Sequence, residues 1–154
     1  MNKNIVCYFS ATNTTKKVAL KISEVLKCDS YSIDPVIPYS DADLDWTNDE
    51  SRSSVEMKED IKPAIVTDNF NLDEYDTVIL GFPVWWYKEP TIIDEFIEKN
   101  DFTNKKVYVF VTSGSSTVDG SLDNLNKKYS NINFVSGMRL NTLVSDSTIL
   151  DWIK

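Results

Sequence analysis

The strongest constraint on this chain is its alternation of short apolar runs with amphipathic helical stretches. "NIVCYF" at 4–9, "DSYSI" at 29–33, "DTVILGF" at 76–82, "KKVYVFVT" at 105–112 and a run near 132–136 read as five strands. The valine-rich runs at 76–82 and 105–112 lack a polar face, as strands covered on both sides do. Between the strands, "TTKKVALKISEVL" at 14–26 sets Val18, Ile22, Val25 and Leu26 on one helical face. "TIIDEFIEK" at 91–99 predicts a helix, with Pro90 suited to its first turn. A helix at about 119–129 and a short C-terminal helix complete the series. Strand–helix alternation implies βαβ units, right-handed crossovers and a parallel sheet, which is the α/β class. In such a sheet, ligands bind beyond the carboxyl ends of the strands, where strand order reverses. That rule selects three loops, at 10–15, 83–90 and 113–119.

The chain has 154 residues, the size of one domain, expected over 1–154. Residues 34–70 break the alternation: they are polar, carry Pro35, Pro38 and Pro63, and read as a long irregular excursion with one helical turn near 55–60. The chain has no histidine, and Cys7 and Cys28 lack metal-ligand spacing, so neither a zinc site nor a Ser-His-Asp triad is expected. Chemistry would come from a cofactor. The net charge of −8 disfavours nucleic acid and suits a basic protein partner. No membrane span or signal peptide is read from the sequence, and a cytoplasmic protein is expected.

The first loop, "SATNTT", brings Ser10, Thr12, Thr14 and Thr15 to the start of a helix. Unpaired backbone N–H groups and partial positive charge collect there, which suits an anion. One helix cap accounts for one hydroxyl, not four. The P-loop lysine and the GxGxxG fingerprint are both missing, which leaves a single terminal phosphate as the best-fitting group. The second loop, "GFPVWWYKEP", places Trp85, Trp86 and Tyr87 in a row at the ligand-bearing edge. Three consecutive rings in a turn cannot all point inward, so at least one should meet solvent or a planar ligand. The third loop, "TSGSSTVDG", offers N–H groups for the polar edge of a flat ring.

Together these motifs resemble the flavodoxin family over essentially the whole chain. The family's first-loop pattern [ST]-x-T-G-x-T, which binds the phosphate of FMN, aligns on Ser10-Ala11-Thr12-Asn13-Thr14-Thr15. "GFPVWWYKEPTIIDEFIE" and "VTSGSSTVDGS" resemble the loops that flank the isoalloxazine, and "RSSVEMKEDIKPAI" resembles a segment of one bacterial branch. The resemblance implies a three-layer sandwich whose five-stranded parallel sheet runs in the order 2-1-3-4-5, with helices on both faces. Asn13 stands where the family has glycine. Asparagine tolerates positive φ better than most residues, so Asn13 is expected in the left-handed region.

The resemblance further implies FMN as cofactor. Ser10, Thr12, Asn13, Thr14 and Thr15 would hold its phosphate. Pro83, Val84, Trp85, Trp86 and Tyr87 would pack the ring, with Trp86 the first choice for stacking. Ser113, Gly114 and Ser115 would complete the polar edge, with Asp119 a further candidate. Carboxylates near the ring would disfavour added negative charge and lower the potential. The expected function is electron transfer to a redox partner protein. An FMN-dependent reductase of quinones or similar small acceptors, using NAD(P)H, is the alternative, with the excursion shaping a substrate pocket. A third reading is a fold that has lost its cofactor and serves as a binding module.

Overall fold

A computed structural model describes residues 3–67 and 70–153. Residues 68 and 69 of the expected excursion, and the three terminal residues of the expected 1–154 domain, lie outside the described residues. The elements run β1 (Asn4–Tyr8), α1 (Thr14–Leu26), β2 (Asp29–Ser32), α2 (Arg52–Glu59), β3 (Thr77–Pro83), α3 (Thr91–Glu98), β4 (Lys106–Thr112), α4 (Asp119–Lys128), β5 (Asn133–Arg139) and α5 (Asp146–Trp152). All ladders are parallel, and the strand order is β2-β1-β3-β4-β5. The expected fold class is the observed one.

Period-two alternation divides the central strands between two cores. Ile5, Cys7 and Phe9 lie on one face with Val78, Leu80, Phe82, Val107, Val109 and Val111, and are covered by α3 and α4 through Ile92, Ile93, Phe96 and Leu125. Val6, Tyr8, Ile79, Tyr108 and Phe110 lie on the other, covered by Val18, Ala19 and Ile22 of α1 and Ile149 of α5. This two-sided burial is why β3 and β4 carry no polar face. No helix is long and apolar enough to cross a membrane among the described residues.

Two sequence expectations change. β5 continues to Arg139 rather than ending near 136. Its alternation is interrupted by a register shift that skips Val135, and by Gly137. A Cβ at Gly137 would lie 2.8 Å from both Leu122 Cδ1 and Val118 Cγ2, so the missing side chain admits α4. The excursion is also better ordered than its composition suggests. It holds an eight-residue helix, α2, capped by Ser51, whose Oγ accepts from Ser54 N. Arg52 lies 3.9 Å from the Tyr39 ring centroid, bonds Glu56 through Nε at 3.0 Å and donates to the Ile37 carbonyl at 2.7 Å. Tyr39 also donates to Glu56. Val36 N to Ala64 O at 2.9 Å and Val66 N to Asp34 O at 2.9 Å close its neck. The low apolar content hid the helix's full length, of which the sequence showed only a turn near 55–60, because charged and aromatic contacts, rather than an apolar stripe, hold much of it.

Candidate cofactor site

The loops after β1, β3 and β4 converge at the carboxyl edge of the sheet, where strand order reverses between β1 and β3. In the first loop Asn13 has φ 70° and ψ −6°, the left-handed conformation expected from its glycine-like position. Its side chain makes no cap. Ser10 takes that role from a distance, its Oγ accepting from Lys16 N at 3.1 Å. The buried Thr15 hydroxyl is 2.7 Å from that of Thr112 at the end of β4, which ties the first loop to the third. Two of the four hydroxyls therefore have structural partners. Thr12 and Thr14 are exposed, and neither hydroxyl has a partner among the described residues. The N–H groups of Thr12, Asn13, Thr14 and Thr15 likewise meet no acceptor there. Four amides and two hydroxyls at the start of a thirteen-residue helix form an uncharged anion cradle.

Because Asn13 sits in the left-handed region, two substitutions there should part ways. Asn13→Gly should leave thermal stability nearly unchanged, whereas Asn13→Val should lower it by about 1–2 kcal/mol, since a β-branched residue is strained at positive φ. Equal melting curves for the two variants would contradict the conformation.

The second loop is a two-residue hairpin. Trp85 N bonds Lys88 O at 3.0 Å and Lys88 N bonds Trp85 O at 3.2 Å. Trp86 and Tyr87, at its tip, have φ of 48° and 68°. The backbone twist of such a turn calls for asparagine or glycine at both positions. Two bulky aromatics here store strain of about 1–3 kcal/mol each, a pattern that clusters at ligand clamps. The rings divide as the sequence requires. Trp85 turns inward, edge-on to Phe9 at 5.6 Å and to Tyr39 at 5.5 Å. Trp86 and Tyr87 turn outward, 42% and 76% exposed.

The turn is braced from behind. A Cβ at Gly120, in the first turn of α4, would lie 2.2 Å from the Tyr87 carbonyl oxygen, so only glycine lets the helix approach. Glu89, next to the turn, is 1% exposed, and Asn124 Nδ2 donates to its Oε1 and Oε2 at 3.0 and 2.8 Å. Burial, then the neighbouring Asp94 carboxylate, push the Glu89 carboxyl up to about 8. Asp94 in turn accepts from Lys128 Nζ at 3.2 Å and Tyr129 Oη at 3.0 Å.

In the third loop, Arg139 at the end of β5 donates to the carbonyls of Ser113 at 3.1 Å and Gly114 at 2.7 Å, and Ser113 Oγ donates to Ser116 O. Ser115 and Ser116 face Val84, Trp85, Trp86 and Tyr87 across a cavity of about 400 Å3. Leu44, Trp46 and Ser53 of the excursion also line it. Ser53 Oγ is buried and has no hydrogen-bond partner among the described residues.

The fold thus brings the three loops to one edge. Pro83 is the last residue of β3, and Asp119 opens α4 without lining the cavity. Sequence reasoning missed Ser116, Leu44, Trp46, Ser53, Glu89, Asn124 and Arg139. Only the exposed indole of Trp46, in an otherwise polar stretch, carried a signal; the others enter through tertiary packing.

An anion cradle and an outward aromatic pair at the switch point of a 2-1-3-4-5 sheet define a mononucleotide-binding α/β protein. The sequence model of the family described as Flavodoxin matches residues 3–154, and the chain belongs to the flavodoxin family. Two crystal structures of proteins assigned as flavoproteins, from Bacteroides eggerthii and Bacteroides uniformis, are similar, with TM-scores of 0.95 and 0.92 at 41% and 43% identity. Each match covers 99% of this chain, and 96% and 97% of the respective partner. A flavoprotein from Lactobacillus acidophilus, solved in complex with FMN, shares the fold at a TM-score of 0.76 and 23% identity, covering 100% of both chains. A search of curated proteins finds no match. FMN is the flavodoxin family's cofactor, and the donor set fits it: uncharged donors for a phosphate at one end, aromatic walls for a flat ring at the other.

Proposed function

We propose that this chain binds FMN and carries electrons through it to a redox partner. The observation that supports this reading most directly is the open first loop, with four N–H groups and two hydroxyls that have no partner among the described residues. It lies on the same edge as an outward-facing aromatic pair held in a strained turn.

Bound FMN supplies the redox chemistry. The chain supplies position. Thr12, Asn13, Thr14 and Thr15 would hold the phosphate through backbone N–H groups, aided by the α1 terminus and the Thr12 and Thr14 hydroxyls. Trp86 and Tyr87 would exclude water from the ring and present aromatic faces to it. Arg139 fixes the carbonyls of the third loop, which leaves its N–H groups to meet the ring's polar edge. The net charge of −8 would favour encounter with a basic partner protein. The reductase reading keeps one specific support: a second cavity beside Trp86, bounded by the excursion.

Titration of the flavin-free protein with FMN, riboflavin and FAD tests the cofactor. FMN should quench tryptophan emission and bind tightly, with riboflavin about 100-fold weaker because it leaves the cradle empty. Equal affinities for FMN and riboflavin would remove the phosphate reading. Stopped-flow mixing with NAD(P)H then separates the two functions: rapid direct bleaching favours the reductase, and slow bleaching the carrier.

A further inference from the structure

Trp86 is a shared wall. It lines the cavity that Ser115 and Ser116 also line, which the proposed function gives to the flavin ring. It also lines a separate cavity of about 470 Å3, together with Asp49, Ser54, Met57, Lys58 and Lys88. This second cavity has no wall from the phosphate loop or the third loop. The excursion and α2 build one side of it, and the aromatic turn builds the other.

Its chemistry differs from that of the first. The indole and the buried Met57 thioether supply apolar walls suited to a flat body. Lys58 and Lys88 supply two ammonium groups, and neither meets a carboxylate among the described residues. In a chain of net charge −8, two lysines against one aspartate give this aromatic-walled cavity a lining with more cationic than anionic side chains. Ser54 is buried, and its Oγ accepts from Ser51 Oγ at 2.9 Å, so its own proton remains to be donated. Asp49 balances part of the charge and disfavours a multiply charged anion.

We propose that this cavity is a second binding site, for a small aromatic monoanion of the aryl carboxylate class, seated against Trp86 beside the flavin cleft. The assignment rests on the proposed function only in giving the other cavity to the flavin. It names the kind of small molecule that would occupy the excursion's side of the site.

The test is calorimetric titration of the FMN-loaded protein with 2-naphthoate, using the uncharged isostere 2-naphthamide as control. The carboxylate should bind at least 10-fold more tightly than the amide, and added salt should shrink the difference. In the double variant K58Q/K88Q the preference should vanish, while FMN occupancy and the melting curve stay as in the parent. Failure of 2-naphthoate to bind, equal affinity for the amide, a preference that survives K58Q/K88Q, or displacement of FMN by 2-naphthoate would each overturn the assignment. The same titration on flavin-free protein keeps the two readings apart. Absence of FMN binding bears on the proposed function alone, and 2-naphthoate binding there still decides the second site.

Discussion

Thr14→Asp should abolish FMN binding at micromolar concentrations while leaving the flavin-free fold intact or slightly firmer. Thr14 is the first residue of α1, exposed, and without a partner among the described residues. An acidic side chain in a helix's first turn interacts favourably with the helix dipole, by about 0.3–1 kcal/mol. The same carboxylate would stand in the cradle proposed for the phosphate dianion. Like charges about 4 Å apart near a protein surface repel by up to ~4 kcal/mol per pair. Even half that value, counted twice for a dianion, weakens binding by ~10³-fold. Thr14→Ala, which removes one hydroxyl donor without adding charge, should weaken binding by only about 1 kcal/mol. The opposite signs matter: affinity falls as melting temperature holds or rises, so unfolding cannot produce the result. FMN titration and thermal melts of the three proteins check it. Retained affinity in Thr14→Asp would move the phosphate elsewhere.

Glu89→Gln should make the protein more stable above pH 8 and nearly unchanged at pH 5. Glu89 is buried beside Asp94, and its carboxyl is pushed up to about 8. In the unfolded chain it titrates near the ordinary value of 4.5. The folded state therefore keeps a proton that the unfolded state has already released. The resulting stabilisation is fully present below the unfolded value and is lost as pH rises through about 8. Glutamine imitates the protonated form: its carbonyl can accept from Asn124, and its amide can donate to Asp94. The groups around it, Asp94 on α3 with Asn124, Lys128 and Tyr129 at α4 and its end, stay in place. We expect the variant-minus-parent difference in unfolding free energy to grow between pH 5 and pH 8.5 by up to ~4 kcal/mol, the three pH units from 5 to about 8 each contributing ~1.4 kcal/mol. Urea unfolding of flavin-free protein at the two pH values measures it. A difference that does not change with pH would show that Glu89 ionises normally despite its burial.

Much of this molecule was legible before its coordinates. The valine-rich runs marked β3 and β4 because strands buried on both faces need no polar positions. The left-handed Asn13 was legible because few residues other than glycine accept that conformation. That at least one of the three rings would stay outside followed from counting how many rings a turn can hide; which ones do was decided by packing, with Trp85 inward and Trp86 and Tyr87 outward. β5 was cut short because Gly137 interrupts the apolar pattern, and its purpose appears only when α4 packs against it. The full length of α2 was hidden because Arg52, Tyr39 and Glu56 hold it through contacts spread across seventeen residues.

Local chemistry alone determined the order of strands and helices, the hydroxyl-rich turn and the aromatic row, because each depends on residues close together in the chain. Tertiary structure decided which hydroxyls are engaged, since Ser10 and Thr15 are claimed by Lys16 and Thr112 while Thr12 and Thr14 have no partner among the described residues. It also decided that Glu89 is buried against Asp94 and that Trp86 stands between two cavities. These outcomes depend on segments far apart in sequence meeting at one sheet edge, which no local pattern encodes.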